Sequence, residues 1–159
     1  MNGTGRASAL LLVTGLFASV NLESGADSSG STRFTVVLNG AAVKDNRTGL
    51  IWEQEPDREH DVWSRSVKRC ATKDVGGQQG WRAPTVDELK TLIDTSQRDP
   101  ALPAGHPFSS IKSEIYWTST PHPTDDIVAW QISFFSGEPV TDQKSGTRRM
   151  WCLLGEPKK

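Results

Sequence analysis

The sequence predicts an α+β fold: two helices packed on a small antiparallel sheet, with long loops between the elements. Three features predict it. A complete helix-start signature stands at residues 85–88, apolar residues alternate late in the chain, and residues 94–113 are rich in proline, glycine, serine and other polar residues. A length of 159 residues with 14 glycines, 9 prolines and 35% hydrophobic residues suits one loop-rich domain.

Following Arg6, an apolar run from Ala9 to Val13 continues through Leu16, Phe17 and Val20 to small residues at Ser24 and Ala26. This is the pattern of a secretory signal over residues 1–26, cleaved before Asp27, and the run is short for a membrane span. No cysteine follows it, so a lipid anchor is not indicated. Residues 27–33 are small and polar and predict a flexible lead. The folded domain is expected over 34–155, with a tail at 156–159.

Phe34 to Leu38 and Leu50 to Trp52 are strand-forming, and Asp45-Asn46-Arg47-Thr48-Gly49 between them is turn-forming, which predicts a hairpin over 43–53. Trp63, Val67, Cys70 and Ala71 recur at helical spacing, leaving Arg65, Lys68, Arg69 and Lys73 outside and Cys70 inside. Gly76-Gly77 closes that helix, and Gly80 to Pro84 lead into a second. There Thr85-Val86-Asp87-Glu88 is a capping box, followed by apolar Leu89, Leu92 and Ile93. Residues 94–113 then predict a surface excursion without regular structure. Tyr116 to Thr120 and Val128 to Phe134 predict strands, the latter with Trp130, Ile132 and Phe134 on one face. Ser136-Gly137 turns the chain into a last stretch ending at Met150 to Leu153, completing the sheet.

The formal charge of −1 is spread along the chain, without the basic footprint of a nucleic-acid-binding protein. Cys70 and Cys152 are the two cysteines. In an exported chain an even pair suits a structural disulfide. The alternative is a reactive thiol at Cys70, beside Lys68, Arg69 and Lys73.

Several stretches in order carry a resemblance: Val43-Lys44-Asp45-Asn46-Arg47-Thr48-Gly49-Leu50-Ile51-Trp52, then Trp63-Ser64 with Cys70, then Gly80-Trp81-Arg82-Ala83-Pro84-Thr85-Val86-Asp87-Glu88-Leu89. Tyr116-Trp117-Thr118-Ser119-Thr120, Ala129-Trp130, Phe134 with Gly137, and Arg149 with Cys152 follow. Over residues 43–153 the chain resembles the Lcl C-terminal domain family, found at the end of the Legionella collagen-like adhesin. The resemblance implies a C-type-lectin-like fold, two helices on a small twisted antiparallel sheet with long loops, and pairing of Cys70 with Cys152. It also implies an extracytoplasmic module, periplasmic or secreted, that binds sulfated polysaccharide or glycosaminoglycan. This chain has no Gly-X-Y repeat, so the stalk that would multiply weak binding is missing from it.

For an anionic ligand the candidate contacts are Lys144, Arg148 and Arg149, together with Lys158 and Lys159 at the end of the chain. Loops 94–113 and 121–127 are the expected display surface. Glu138-Pro139 resembles part of the calcium-dependent lectin signature, but Val140 follows where that signature has asparagine. Most of the six tryptophans, Trp130 included, read as core packing rather than sugar platforms. No metal ligand set, cofactor motif or catalytic constellation stands out, and the expectation is a module that is not an enzyme. The competing readings are a protein-binding cell-envelope component and an enzyme like the formylglycine-generating enzymes. The latter use closely spaced cysteines on a related fold, unlike Cys70 and Cys152.

Overall fold

Strong turn formers at Asp45 to Gly49, flanked by Val43 on one side and Ile51 and Trp52 on the other, make the predicted hairpin. The computed structural model describes Met1 and residues 32–156. The expected signal segment after Met1, the lead up to Ser31, and Lys158 and Lys159 lie outside these residues. In chain order the strands and helices are β1 (Phe34–Val37), β2 (Ala42–Asp45), β3 (Ile51–Glu53), β4 (Asp61–Val62), α1 (Trp63–Ala71), α2 (Val86–Lys90), β5 (Ile115–Pro121), β6 (Val128–Ser133), β7 (Pro139–Gln143), β8 (Thr147–Met150) and β9 (Leu153–Leu154). Between β2 and β3 the buried Asp45 carboxylate accepts from the Arg47 amide at 2.9 Å, and Gly49 takes the left-handed conformation (φ 83°) that closes the turn.

Two sheets form where the sequence predicts one. The first runs β1-β2-β3-β9 and is antiparallel throughout; the second runs β4-β8-β5-β6-β7. Within the second, β5 and β8 are parallel, with Tyr116 opposite Arg149 and Trp117 opposite Met150. The last stretch of the chain is the reason for the difference. It contributes β8 to one sheet and then, past Trp151 and Cys152, β9 to the other, pairing Leu153 with Trp52. Short strands that leave one sheet and enter another give no sequence signal that a single sheet would not also give.

Helix α1 turns Cys70 inward as its periodicity predicts, but Ala71 is exposed. Cys70 bonds Cys152, with Cα atoms 5.5 Å apart, and both residues are fully buried. The link closes a separation of 82 residues, for which loop entropy gives roughly 4–5 kcal/mol. Helix α2 carries the predicted capping box: Thr85 Oγ1 accepts from the Glu88 amide at 3.2 Å, and Glu88 Oε2 accepts from the Thr85 amide at 2.8 Å. Its apolar face sends Leu89, and Leu92 in the following turn, into the core.

Two apolar clusters hold the sheets together. One gathers Trp52, Leu89, Phe108, Tyr116, Phe134 and Trp151; the other packs Trp81, Trp117 and Met150 around the disulfide. The segment 94–113 has no helix or strand, as expected, but it is not merely a surface excursion. Ala101, Leu102 and Phe108 are buried, and Ala101 exchanges backbone hydrogen bonds with Asp94 and Phe134. Three apolar residues anchor the loop, whose polar composition conceals them. Arg33 is likewise fixed rather than part of a flexible lead, through its ion pair at 3.0 Å with Asp45. Trp130 departs from the core expectation, because it is only half-buried beside α2.

Candidate functional site

The expected anionic-ligand residues sit on β8 and the turn before it, and alternation along the strand separates them. Arg148 and Arg149 are adjacent, so their side chains leave opposite faces of the sheet. Arg148 donates to Asp142 Oδ2 at 2.6 Å and to its neighbour's carbonyl at Thr147. Lys144 lies with its ammonium 4.6 Å from the centre of the Trp63 ring and donates to the Asp126 carbonyl at 2.5 Å. The three cations therefore do not form one patch.

Arg149 is different, because it is buried at 9% exposure yet reaches a hollow. Its Nε donates to Glu114 Oε2 at 2.9 Å and its Nη1 to the Asp57 carbonyl at 3.0 Å. Its Nη2 has no hydrogen-bond partner among the described residues. A guanidinium has five donors in a fixed plane, so fixing two edges orients the third. Glu114 is in turn held by His60 Nε2 at 2.5 Å. Burial pushes the Glu114 carboxyl up, but hydrogen bonds from Arg149 and His60 outweigh it and leave its pKa below the ordinary value. Glu114 thus stays ionised and holds Arg149 in place.

The hollow, of about 270 Å³, is lined by Arg58, Ser110, Lys112 and Arg149. Lys112 is exposed and has no ion-pair partner among the described residues. Arg58 donates through Nε to Glu55 Oε1 at 2.6 Å, leaving its two terminal nitrogens open. Arg58 first, and then the Ser110 hydroxyl, hold the half-buried Glu55 below the usual carboxylate range. Ser110 itself adopts a left-handed conformation, φ 55°, rare for serine, near the end of the 94–113 segment. Three cations facing one opening, with two carboxylates behind them, leave a local surplus of positive charge at Lys112. A second hollow of about 370 Å³ is lined by His60, Glu114, Ile115, Thr147 and Arg148.

Of the sequence-predicted contacts, the structure brings Arg149 into this hollow and places Lys144 and Arg148 elsewhere. Arg58, Ser110 and Lys112 escape a sequence reading because they meet only through tertiary structure. Arg58 lies in an acidic stretch that looks like a solvated face. Ser110 and Lys112 do fall within the loop expected to display ligand contacts, which is the one signal the sequence offers. Loop 121–127, the other expected display surface, carries the exposed Ile127 and the half-buried His122.

A family model described as the Lcl C-terminal domain matches residues 41–154, a range that holds β2 to β9, both helices and all four residues of the hollow, and leaves out β1. No curated protein matches the chain significantly.

Proposed function

Since the chain belongs to the Lcl C-terminal domain family, we propose that it is an exported, non-catalytic recognition module of C-type-lectin-like fold that binds sulfated polysaccharide. In this reading the sulfate groups sit in the hollow of Arg58, Ser110, Lys112 and Arg149. The observation that carries it is Arg149: a buried guanidinium locked by Glu114 and the Asp57 carbonyl, with Nη2 uncommitted, beside an unpaired Lys112. A planar donor held from behind by an ionised carboxylate is preorganised for a tetrahedral oxyanion, since no side-chain freedom remains to be lost on binding. Arg149 stays among the contacts expected from the sequence, while Arg58 and Lys112 take the places of Lys144 and Arg148. Export is supported by the Cys70–Cys152 disulfide, a bond that persists in oxidising compartments. Among the described residues, no helix is long and apolar enough to cross a membrane.

The test is retention of the purified, disulfide-bonded chain on an immobilised sulfated polysaccharide across a salt gradient. Binding should weaken with salt, because phosphate-like and sulfate contacts of Lys and Arg are screened. The pair Arg58→Gln and Lys112→Gln, both at exposed positions, should elute at clearly lower salt, whereas Lys144→Gln should elute with the unaltered chain. Equal elution of all three would refute the placement. Failure of the folded chain to bind at low salt would refute the glycan reading and favour a protein partner in the cell envelope.

A further inference from the structure

The six tryptophans divide sharply by environment. Trp52, Trp81, Trp117 and Trp151 are buried to 1% exposure or less. Trp63 is half-buried, but its N–H donates to the Thr118 carbonyl at 2.7 Å and the Lys144 ammonium covers its ring. Trp130 alone combines a partly open ring with an indole N–H that has no partner among the described residues. The short helix α2 explains the opening. Its Leu89 packs with Ile132 and Phe134 in the core, but the helix ends at Lys90 and leaves Trp130 on β6 only half-covered.

Around Trp130 lies a hollow of about 210 Å³ lined by Val86, Asp87, Lys90 and Pro139. Asp87 and Lys90 are both exposed, and neither makes an ion pair among the described residues. Thr141, directly opposite Trp130 on β7, is exposed on the same face of the sheet. On the loop side the His122 ring lies nearly parallel to the indole, 27° between planes and 6.1 Å between centres. The site thus offers an apolar platform with a carboxylate, an ammonium and an indole N–H around it, the two charges without an ion pair among the described residues.

From this arrangement we infer that Trp130 is a subsite for one neutral hexopyranose ring. The C–H face of a pyranose matches the indole face, and its equatorial hydroxyls are both donors and acceptors, which the mixed rim of Asp87 and Lys90 satisfies. The hollow's volume is below that of sites for drug-sized ligands, so it takes a single ring rather than an oligosaccharide. A proline-rich peptide would use the aromatic face but would leave the Asp87 carboxylate without a donor. The inference stands on the Trp130 geometry and does not require the sulfate hollow, from which its residues are entirely different.

The experiment is nitrogen-15 NMR of the full mature chain titrated with neutral methyl glycosides of glucose, galactose, mannose and N-acetylglucosamine. Uncharged probes do not report on the cationic hollow, so failure here and failure of the sulfate reading are distinguishable. At least one glycoside should shift the Trp130 indole N–H and the Asp87 and Lys90 amides saturably, with millimolar affinity. Trp130→Ala should abolish that response, and Asp87→Asn should weaken it about tenfold, with the remaining spectrum showing an intact fold. No shift at these positions with any glycoside would overturn the subsite. So would equal binding by the Trp130→Ala chain, or a response confined to a proline-rich peptide.

Discussion

Neighbouring residues on a strand face opposite ways, and this decides the roles of Arg148 and Arg149. Arg149 shares a face with Tyr116 across the parallel pair and is locked between Glu114 and Asp57, while Arg148 turns to Asp142. A linear count of positive charges near the C-terminus includes both and cannot choose between them. Alternation alone would have separated them; the direction of the hollow would still have been hidden, because it depends on Arg58 and Lys112, far away in sequence. Gln131 is a second position where chemistry and burial diverge. It is fully buried on β6, and neither its side-chain oxygen nor its nitrogen has a hydrogen-bond partner among the described residues. A buried amide without partners costs about 1–3 kcal/mol. Gln131→Met, similar in length and apolar, is expected to raise the free energy of unfolding in denaturant by about 1 kcal/mol. An equal or larger loss of stability would show that the amide is engaged.

Among the elements, α2 was the most legible and α1 the next. The capping box at Thr85 and Glu88 is a local device, complete within four residues, and the structure reproduces both of its hydrogen bonds. Glu88 also receives Arg82, at 2.6 and 2.8 Å, which joins the helix to the segment before it. Burial raises the Glu88 carboxyl, but the hydrogen bonds from Arg82 and Thr85 outweigh that and leave its pKa below the ordinary 4.5. A lowered folded-state pKa means stability that is present above pH 4.5 and is lost as pH falls through the folded value. Thr85→Ala should therefore cost about 1 kcal/mol near neutral pH. Glu88→Gln should flatten the decline of stability with acid below pH 4.5. Acid unfolding followed by far-ultraviolet circular dichroism checks both, and a Glu88→Gln profile parallel to that of the unaltered chain would contradict the assignment. The segment 94–113 was legible only in part. Its lack of regular structure follows from composition, but Ala101, Leu102 and Phe108 are too few and too scattered to announce that they enter the core.

Across the whole molecule, the pairing of Cys70 with Cys152 and the packing of Trp52, Trp81 and Trp117 follow from the sequence, while the division into two sheets does not. The chain returns at its end to pair β9 with β3, and the disulfide one residue before β9 fixes that return to α1. This closure puts the 54–60 segment against β8, through the Asp57 amide bonding the Met150 carbonyl at 3.1 Å, and so brings Arg58 beside Arg149. The cationic hollow proposed to bind the anion is a product of the whole fold rather than of any motif. The most direct test is titration of the oxidised chain with inorganic sulfate, followed by NMR of the Arg149 side-chain Nε–H and the Ser110 and Lys112 amides. Saturable shifts at these three positions, absent at Lys144 and reduced by salt, are predicted. Shifts at Lys144 and Arg148 without any at Arg149 would contradict the central claim.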